Sequence, residues 1–344
     1  MSNVEYSFVT DSSVPVRWGV LGAARIAASK MIPAIIKSEH CELRAIGSRD
    51  LGKASALAKE FSIPVAYGSY EEVIADPLVD AVYIALPNHL HVRWALAAAS
   101  CGKHVLCEKP LAMNAEEAML LKAVKETVLI SEAFMVRQQP RWIRLREILT
   151  SERYGKPKVI HSMLSFFMNN PDDFRNVPAF GGGALYDLGC YTVMASRFVF
   201  GQEPTRVFAT SEKDAKHGVD TISSAILDFG GGRHAIFTVS TDMASSQTLQ
   251  VVCEKGFIDL PKAYVPFRDK SATIEIDTSV SHDLSELSTI VFGQLDQYEC
   301  EVTNFSMAVK GICSPSYGLD DAISNAKVMD AVFASMVSQR WVAV

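Results

Sequence analysis

Val16-Arg17-Trp18-Gly19-Val20-Leu21-Gly22-Ala23-Ala24-Arg25-Ile26-Ala27 decides the fold: a short apolar run ends at a glycine, and small residues follow where a helix would open. In the pattern G-x-G-x-x-G the first glycine makes the tight turn, the second lets the backbone approach a pyrophosphate, and the third lets helix pack on strand. Here only Gly22 is kept, while Ala24 and Ala27 put the smallest side chain with a Cβ at the other two places. Close approach stays open. The amides around Ala24, Arg25 and Ile26, backed by the helix dipole, are candidates to hold a phosphate. Taken alone, the same residues also read as an ordinary strand-to-helix turn.

Working outward, short apolar runs at 16–22, 41–47, 80–87, 104–110 and 127–134 alternate with amphipathic stretches, the pattern of βαβ units around a doubly wound parallel sheet. Ser69 with Glu72 and Asn114 with Glu117 place a capping side chain three residues before a carboxylate, which predicts helix starts at both. Beyond Pro157 strand candidates follow one another at 158–166, 205–211, 221–230, 234–241 and 248–260, with Asp228-Phe229-Gly230-Gly231-Gly232-Arg233 as a hairpin turn. This predicts a second, mostly antiparallel sheet, closed by helices at 298–310 and 319–338. With 344 residues against a single-core limit of ~250–300, two domains are expected. We place a flexible tail at 1–14, a dinucleotide-binding Rossmann domain at 15–135 and a substrate-binding and dimerisation α/β domain at 136–344, whose last helix is free to pack back on the first. The cleft between two packed domains is the default binding site.

A net charge of -6 offers no basic footprint for nucleic acid or an anionic membrane surface, so a small-molecule partner is expected. Seven scattered cysteines, an odd number without C-x-x-C or zinc spacing, read as reduced thiols in cytoplasm, and no metal is implied. The N-terminal residues lack the basic start and apolar stretch of a signal peptide, and no run of about 18 apolar residues occurs.

At the end of the second strand, where an acidic residue would bind the ribose of NAD, the chain reads Gly47-Ser48-Arg49-Asp50. A hydroxyl beside a guanidinium suits a 2′-phosphate, so NADP is favoured over NAD. A strand boundary shifted by one or two residues would instead make Asp50 a ribose ligand, and Arg49 alone also reads as a solvated loop charge.

Leu86-Pro87-Asn88-His89-Leu90-His91, Glu108-Lys109-Pro110, Phe134-Met135-Val136-Arg137 and the stretch 181–191, Gly-Gly-Gly-Ala-Leu-Tyr-Asp-Leu-Gly-Cys-Tyr, carry a resemblance that spans nearly the whole chain. It resembles the glucose-fructose oxidoreductase, inositol dehydrogenase and rhizopine-catabolism family (Gfo/Idh/MocA). The resemblance implies a Rossmann domain followed by an α/β domain built on a large open sheet that mediates a homodimer or a dimer of dimers. It also implies reversible oxidation of a sugar, cyclitol or related diol. Many members carry histidine where this chain has Tyr191, which places it nearer the branch with glucose-fructose oxidoreductase, sugar ketoreductases, some xylose dehydrogenases and dimeric dihydrodiol dehydrogenase.

Hydride transfer from a carbon bearing a hydroxyl needs a group that takes the hydroxyl proton, and the reverse reaction needs its acid. Tyr191 and Lys109 are the candidates, because an ammonium within about 4–6 Å lowers a phenol from its usual value of about 10. Asp187 stands four residues before Tyr191 on the helix expected from Ala184 onward, so both share a face. It is assigned to binding a substrate hydroxyl or orienting Lys109. Glu108 is placed to orient the nicotinamide ribose, and Pro87, Asn88 and His91 to contact the cofactor, although a histidine at a helix start also reads as a capping or packing residue. Arg175 reads equally as a ligand to the polyol or as a structural ion pair. Two other functions fit the same residues: oxidation of an aromatic trans-dihydrodiol, and a non-catalytic dinucleotide-binding regulator.

Overall fold

The computed structural model describes residues 14–125, 128–266, 270–279 and 284–344. These fall into two compact units, 14–138 with 296–323 and 139–295 with 324–344. The expected tail lies, apart from Val14, outside the described residues.

In the first unit β1 (Val16–Leu21), β2 (Cys41–Gly47), β3 (Val65–Tyr67), β4 (Ala81–Ile84), β5 (His104–Glu108) and β6 (Ile130–Ala133) form one sheet in the order β3-β2-β1-β4-β5-β6. Every neighbouring pair is parallel. Between the strands lie α1 (Ile32–Lys37), α2 (Leu51–Phe61), α3 (Tyr70–Ala75), α4 (His91–Ser100) and α5 (Ala115–Leu120). The four residues of β4 are all buried, as a central parallel strand covered on both faces requires. Strand order reverses between β1 and β4, the switch point at which such sheets open a ligand crevice. Both expected caps form: the Ser69 hydroxyl accepts from the Glu72 amide at 3.2 Å, and Asn114 Oδ1 accepts from the Glu117 amide at 2.8 Å. The short strand β3, three half-buried residues at the sheet edge, has no counterpart in the sequence reading.

The second unit holds α6 (Pro140–Thr150), β7 (Pro157–Phe167), α7 (Cys190–Phe200), β8 (Arg206–Lys213), β9 (Asp220–Asp228), β10 (His234–Ser240), β11 (Asp242–Cys253), β12 (Phe257–Pro261), β13 (Ala272–Asp277), β14 (Leu287–Phe292) and β15 (Val342–Ala343). The strands form one sheet ordered β14-β13-β12-β11-β7-β10-β9-β8-β15. Only the pair β7 and β10 is parallel. Alternate residues of β10, Ala235, Phe237 and Val239, are buried while Ile236 is exposed, so one sheet face carries the core. On that core Trp142 of α6 packs edge-on against Phe198 of α7, ring centroids 5.2 Å apart. Residues 248–260 do not run straight through: the chain turns at Glu254–Gly256, where the Cys253 amide donates to the Gly256 carbonyl at 2.8 Å, and returns as β12. Gly230, Gly231 and Gly232 all have φ between 61° and 74°, which lets the expected hairpin turn close.

After this sheet, α8 (Gln297–Val309) belongs to the first unit and packs on α1. There Trp18 of β1, fully buried, donates from Nε1 to Ser306 Oγ at 3.1 Å and packs at a tilt against Phe305, ring centroids 5.4 Å apart. An indole so enclosed contributes about 3–5 kcal/mol relative to alanine. In α9 (Leu319–Ser338), residues to 323 belong to the first unit and the rest to the second. Among the described residues no helix is long and apolar enough to cross a membrane.

Candidate functional site

The turn after β1 is built on Gly22, whose φ is 111°. A Cβ there would meet the Ala85 carbonyl oxygen at 2.5 Å, so conformation and space both demand bare backbone. Helical backbone starts at Arg25, which is exposed, with Ala24 and Ile26 half-buried. Ala27 is fully buried and opens a π-helical turn, Ala27–Met31, that runs into α1. The first amides of a helix have no intrahelical acceptor and draw anions.

β2 ends at Gly47, and the next residues divide their work. Ser48 is buried, and its hydroxyl accepts from the Asp50 amide at 3.2 Å. Asp50 caps α2, its Oδ1 accepting from the Lys53 amide at 3.2 Å. Arg49 lies exposed between them.

Beyond β4, Pro87 leads into a 3-10 turn, Asn88–Leu90, with Asn88 buried. His91, fully buried at the start of α4, places Nε2 2.7 Å from the Leu86 carbonyl and Nδ1 2.7 Å from the Pro110 carbonyl. One ring therefore ties the loop after β4 to the loop after β5. Carbonyls only accept, so both contacts are hydrogen bonds only when the ring carries two protons. Burial outweighs that pull and pushes His91 down to about 4. An unfolded histidine titrates near 6.5, so as pH falls below that value the unfolded chain takes the proton first and stability is lost. Between pH 7 and 4.5 wild type should lose about 2–3 kcal/mol more than His91→Gln in urea unfolding. Parallel losses would remove His91 as the cause.

At the end of β5 the Tyr83 hydroxyl donates to Glu108 Oε1. Burial, then the Glu108 carboxylate, push Tyr83 far above the ordinary phenol value, which keeps it a donor. Lys109 is half-buried, its amide 3.3 Å from Glu108 Oε2, and the Lys109–Pro110 peptide is cis.

In the second unit Arg175 Nε donates to Asp187 Oδ2 at 2.8 Å, and Arg175 Nη1 to Asp173 Oδ1 at 3.1 Å. Burial alone would lower the guanidinium pKa, but Asp187 and Asp173 outweigh it and hold Arg175 above its usual range. Asp187 lies in a π-helical turn, Leu185–Gly189, that continues as α7. Such π turns are frequent at functional sites. Tyr191, next to the start of α7, is buried, its ring 5.9 Å from Tyr264. Leu185, where the turn begins, donates its amide to the buried Asp220 at 2.8 Å.

Within the first unit, then, Gly22, Pro87, Asn88, His91, Glu108 and Lys109 gather at the carboxyl ends of β1, β4 and β5. Arg175 and Asp187 are paired within the second, with Tyr191 four residues on. Lys109 and Tyr191 belong to different units. Sequence reasoning missed Tyr83 and Asp220. Tyr83 had a signal, a polar tip inside an otherwise apolar strand, since a buried tyrosine hydroxyl needs a partner. Asp220, at a strand start after Gly218-Val219, reads as a turn residue.

Residues 16–131 match the family model described as "Oxidoreductase family, NAD-binding Rossmann fold", and 142–259 match the "GFO/IDH/MocA C-terminal domain". A D-xylose 1-dehydrogenase (NADP(+)) of Haloferax volcanii is 38% identical over 321 residues, 92% of this chain and 96% of that one. Trans-1,2-dihydrobenzene-1,2-diol dehydrogenase of Mus musculus is 35% identical over 261 residues, 73% of this chain and 76% of its own. Among solved structures, a 3-ketoreductase from Actinomadura kijaniata in complex with NADP and TDP-benzene superposes with a TM-score of 0.86 at 26% identity, covering 94% of this chain and 98% of that one.

Proposed function

Because the chain belongs to the GFO/IDH/MocA family of NAD(P)-dependent oxidoreductases, we propose that it moves a hydride between NADP(H) and a CH-OH or C=O carbon of a sugar or related polyol. The gathering of the bare Gly22 turn, Asn88 and the Glu108-Lys109 pair at the switch point carries this reading. The tight turn at Gly22, followed by the first amides of a helix at the sheet's switch point, is chemistry suited to a dinucleotide's pyrophosphate. NADP, when bound, supplies the hydride position at C4 of the nicotinamide. Gly22, Ala24, Arg25 and Ile26 hold the pyrophosphate, and Glu108 orients the nicotinamide ribose, with Pro87 and Asn88 beside it. His91 serves by fixing the Leu86 and Pro110 carbonyls.

Tyr191 exchanges the substrate hydroxyl proton, and the Lys109 ammonium lowers its phenol toward neutrality. Asp187 accepts from a neighbouring hydroxyl of the polyol while Arg175 holds the carboxylate in place. NADP is preferred because Asp50 is engaged as a helix cap, leaving Ser48 and Arg49 for the 2′-phosphate. Arg49→Ala should lower kcat/KM with NADPH by about 10–10²-fold and leave NADH nearly unchanged. Equal losses with both would contradict the assignment.

The reaction itself is tested by mixing purified protein and NADP with D-xylose, other aldoses, cyclitols and an aromatic trans-dihydrodiol, and following reduced nicotinamide by absorbance. A sugar is expected to produce it. Oxidation of a trans-dihydrodiol is the second reading, favoured by the 35% identity to the mouse enzyme, and turnover of that substrate alone would establish it. A protein that binds NADPH and turns over nothing would be a dinucleotide-binding regulator.

A further inference from the structure

We infer that Asp220 is a positioning residue for the reaction, holding the helical run that carries Asp187 and Tyr191 at one place against the sheet. The inference rests on the role given to Tyr191 above. Asp220 is the first residue of β9 and is buried. Its Oδ2 accepts from the Leu185 amide at 2.8 Å and from the Ser223 hydroxyl at 2.6 Å. Leu185 opens the π-helical turn that becomes α7, so a sheet residue holds the start of that run.

The approach to the run is locked to the same carboxylate. Gly183 has φ 110°, and a Cβ there would lie 2.1 Å from Asp220 Oδ1. The Gly183 amide donates to the Arg175 carbonyl at 2.9 Å, and a Cβ on Gly182 would meet that same oxygen at 2.4 Å. The Gly183 carbonyl in turn accepts from the Asp187 amide at 3.2 Å. Arg175, which grips the Asp187 carboxylate, and Asp220, which grips the Leu185 amide, therefore meet at one glycine. Farther along, Asn325 Nδ2 donates to the Cys190 carbonyl at 3.3 Å, a second tether one residue before Tyr191. With the helix start released, the phenol would keep its helix but lose its register against the substrate. A misplacement of about 1 Å at a reacting group costs up to ~10²-fold in rate.

The test compares Asp220→Ala, Asp220→Asn and Ser223→Ala in the full chain, each alone and combined with Tyr191→Phe. Asp220→Ala should lower kcat about 10–30-fold while the NADPH Kd, read by fluorescence titration, stays within about twofold. Asp220→Asn, which keeps an oxygen for the Leu185 amide, should restore most of the loss. In the Tyr191→Phe background the further loss of kcat from Asp220→Ala should be under about twofold, because no phenol is left to misplace and a shifted Asp187, which binds a sugar hydroxyl, weighs on KM. Ser223→Ala, a milder change for the case in which Asp220→Ala fails to fold, should show the same dependence on Tyr191 at about two- to fivefold. Losses that multiply across the two sites, or a lower melting temperature with unchanged kcat, would overturn the inference. Full activity in Tyr191→Phe alone would instead remove the role of Tyr191 on which the inference stands, and the two failures are read from different samples.

Discussion

Tyr191→Phe is expected to cut kcat by about 10²–10⁴ while the NADPH Kd changes less than about twofold. The substitution removes one oxygen from a buried ring that packs 5.9 Å from Tyr264, so the apolar part of the contact survives and the fold should stay intact. What is lost is a hydroxyl on the run tethered by Asp220 and Asn325. Proton transfer by a placed side chain is worth about that factor, which is why the effect falls on kcat. On the proposed assignment the dinucleotide is held by the Gly22 turn and the residues beyond β2, so its affinity should be indifferent to the change. Full retained activity would take Tyr191 out of the mechanism.

Lys109→Met is expected to lower kcat by a similar factor of about 10²–10⁴ at pH 7 and to move the pH profile. Methionine keeps much of the side-chain length and removes the charge. In the proposed pair the Lys109 ammonium favours the phenolate, so its loss should return the phenol upward toward the ordinary value of about 10. Oxidation, which needs the phenolate, should then gain rate with rising pH well past the wild-type plateau. Lys109→Arg, which keeps the charge, should hold the wild-type limb with a smaller loss of rate. A uniform loss at every pH in Lys109→Met would mean that Lys109 only binds or packs.

The parallel sheet was legible because five of its six strands are buried runs bracketed by amphipathic helices. β3 was not, since three half-buried residues at an edge carry neither alternation nor a continuous apolar run. β13 was overlooked although Ala272–Asp277 alternates apolar and polar residues as a strand does, whereas in β14, Leu287–Phe292, the adjacent Ser288 and Thr289 break the alternation and pairing with β13, more than propensity, makes the strand. The turn at Gly256 was overlooked although Glu254-Lys255-Gly256 interrupts the apolar residues on either side of it.

At the site, Gly22 was legible because its conformation and its crowding leave no other residue possible. At Ser48-Arg49-Asp50 the sequence favours NADP, with Asp50 as the alternative ribose ligand, and in the fold Asp50 caps α2. An ion pair was one of the two readings of Arg175, but nothing in the 12 positions that separate them names Asp187 as the partner. Asp220 lies 35 positions from the amide it holds, so its part depends on the sheet having already formed. Residues whose role is local were readable, whereas those whose partner arrives through the tertiary fold were not.

A crystal structure with NADP and a bound sugar tests the account most directly. It predicts Lys109 Nζ and Tyr191 Oη both within about 3.2 Å of the sugar oxygen on the carbon that faces nicotinamide C4, with the two carbons about 3–3.5 Å apart. A sugar bound with either group turned away from that oxygen would contradict it.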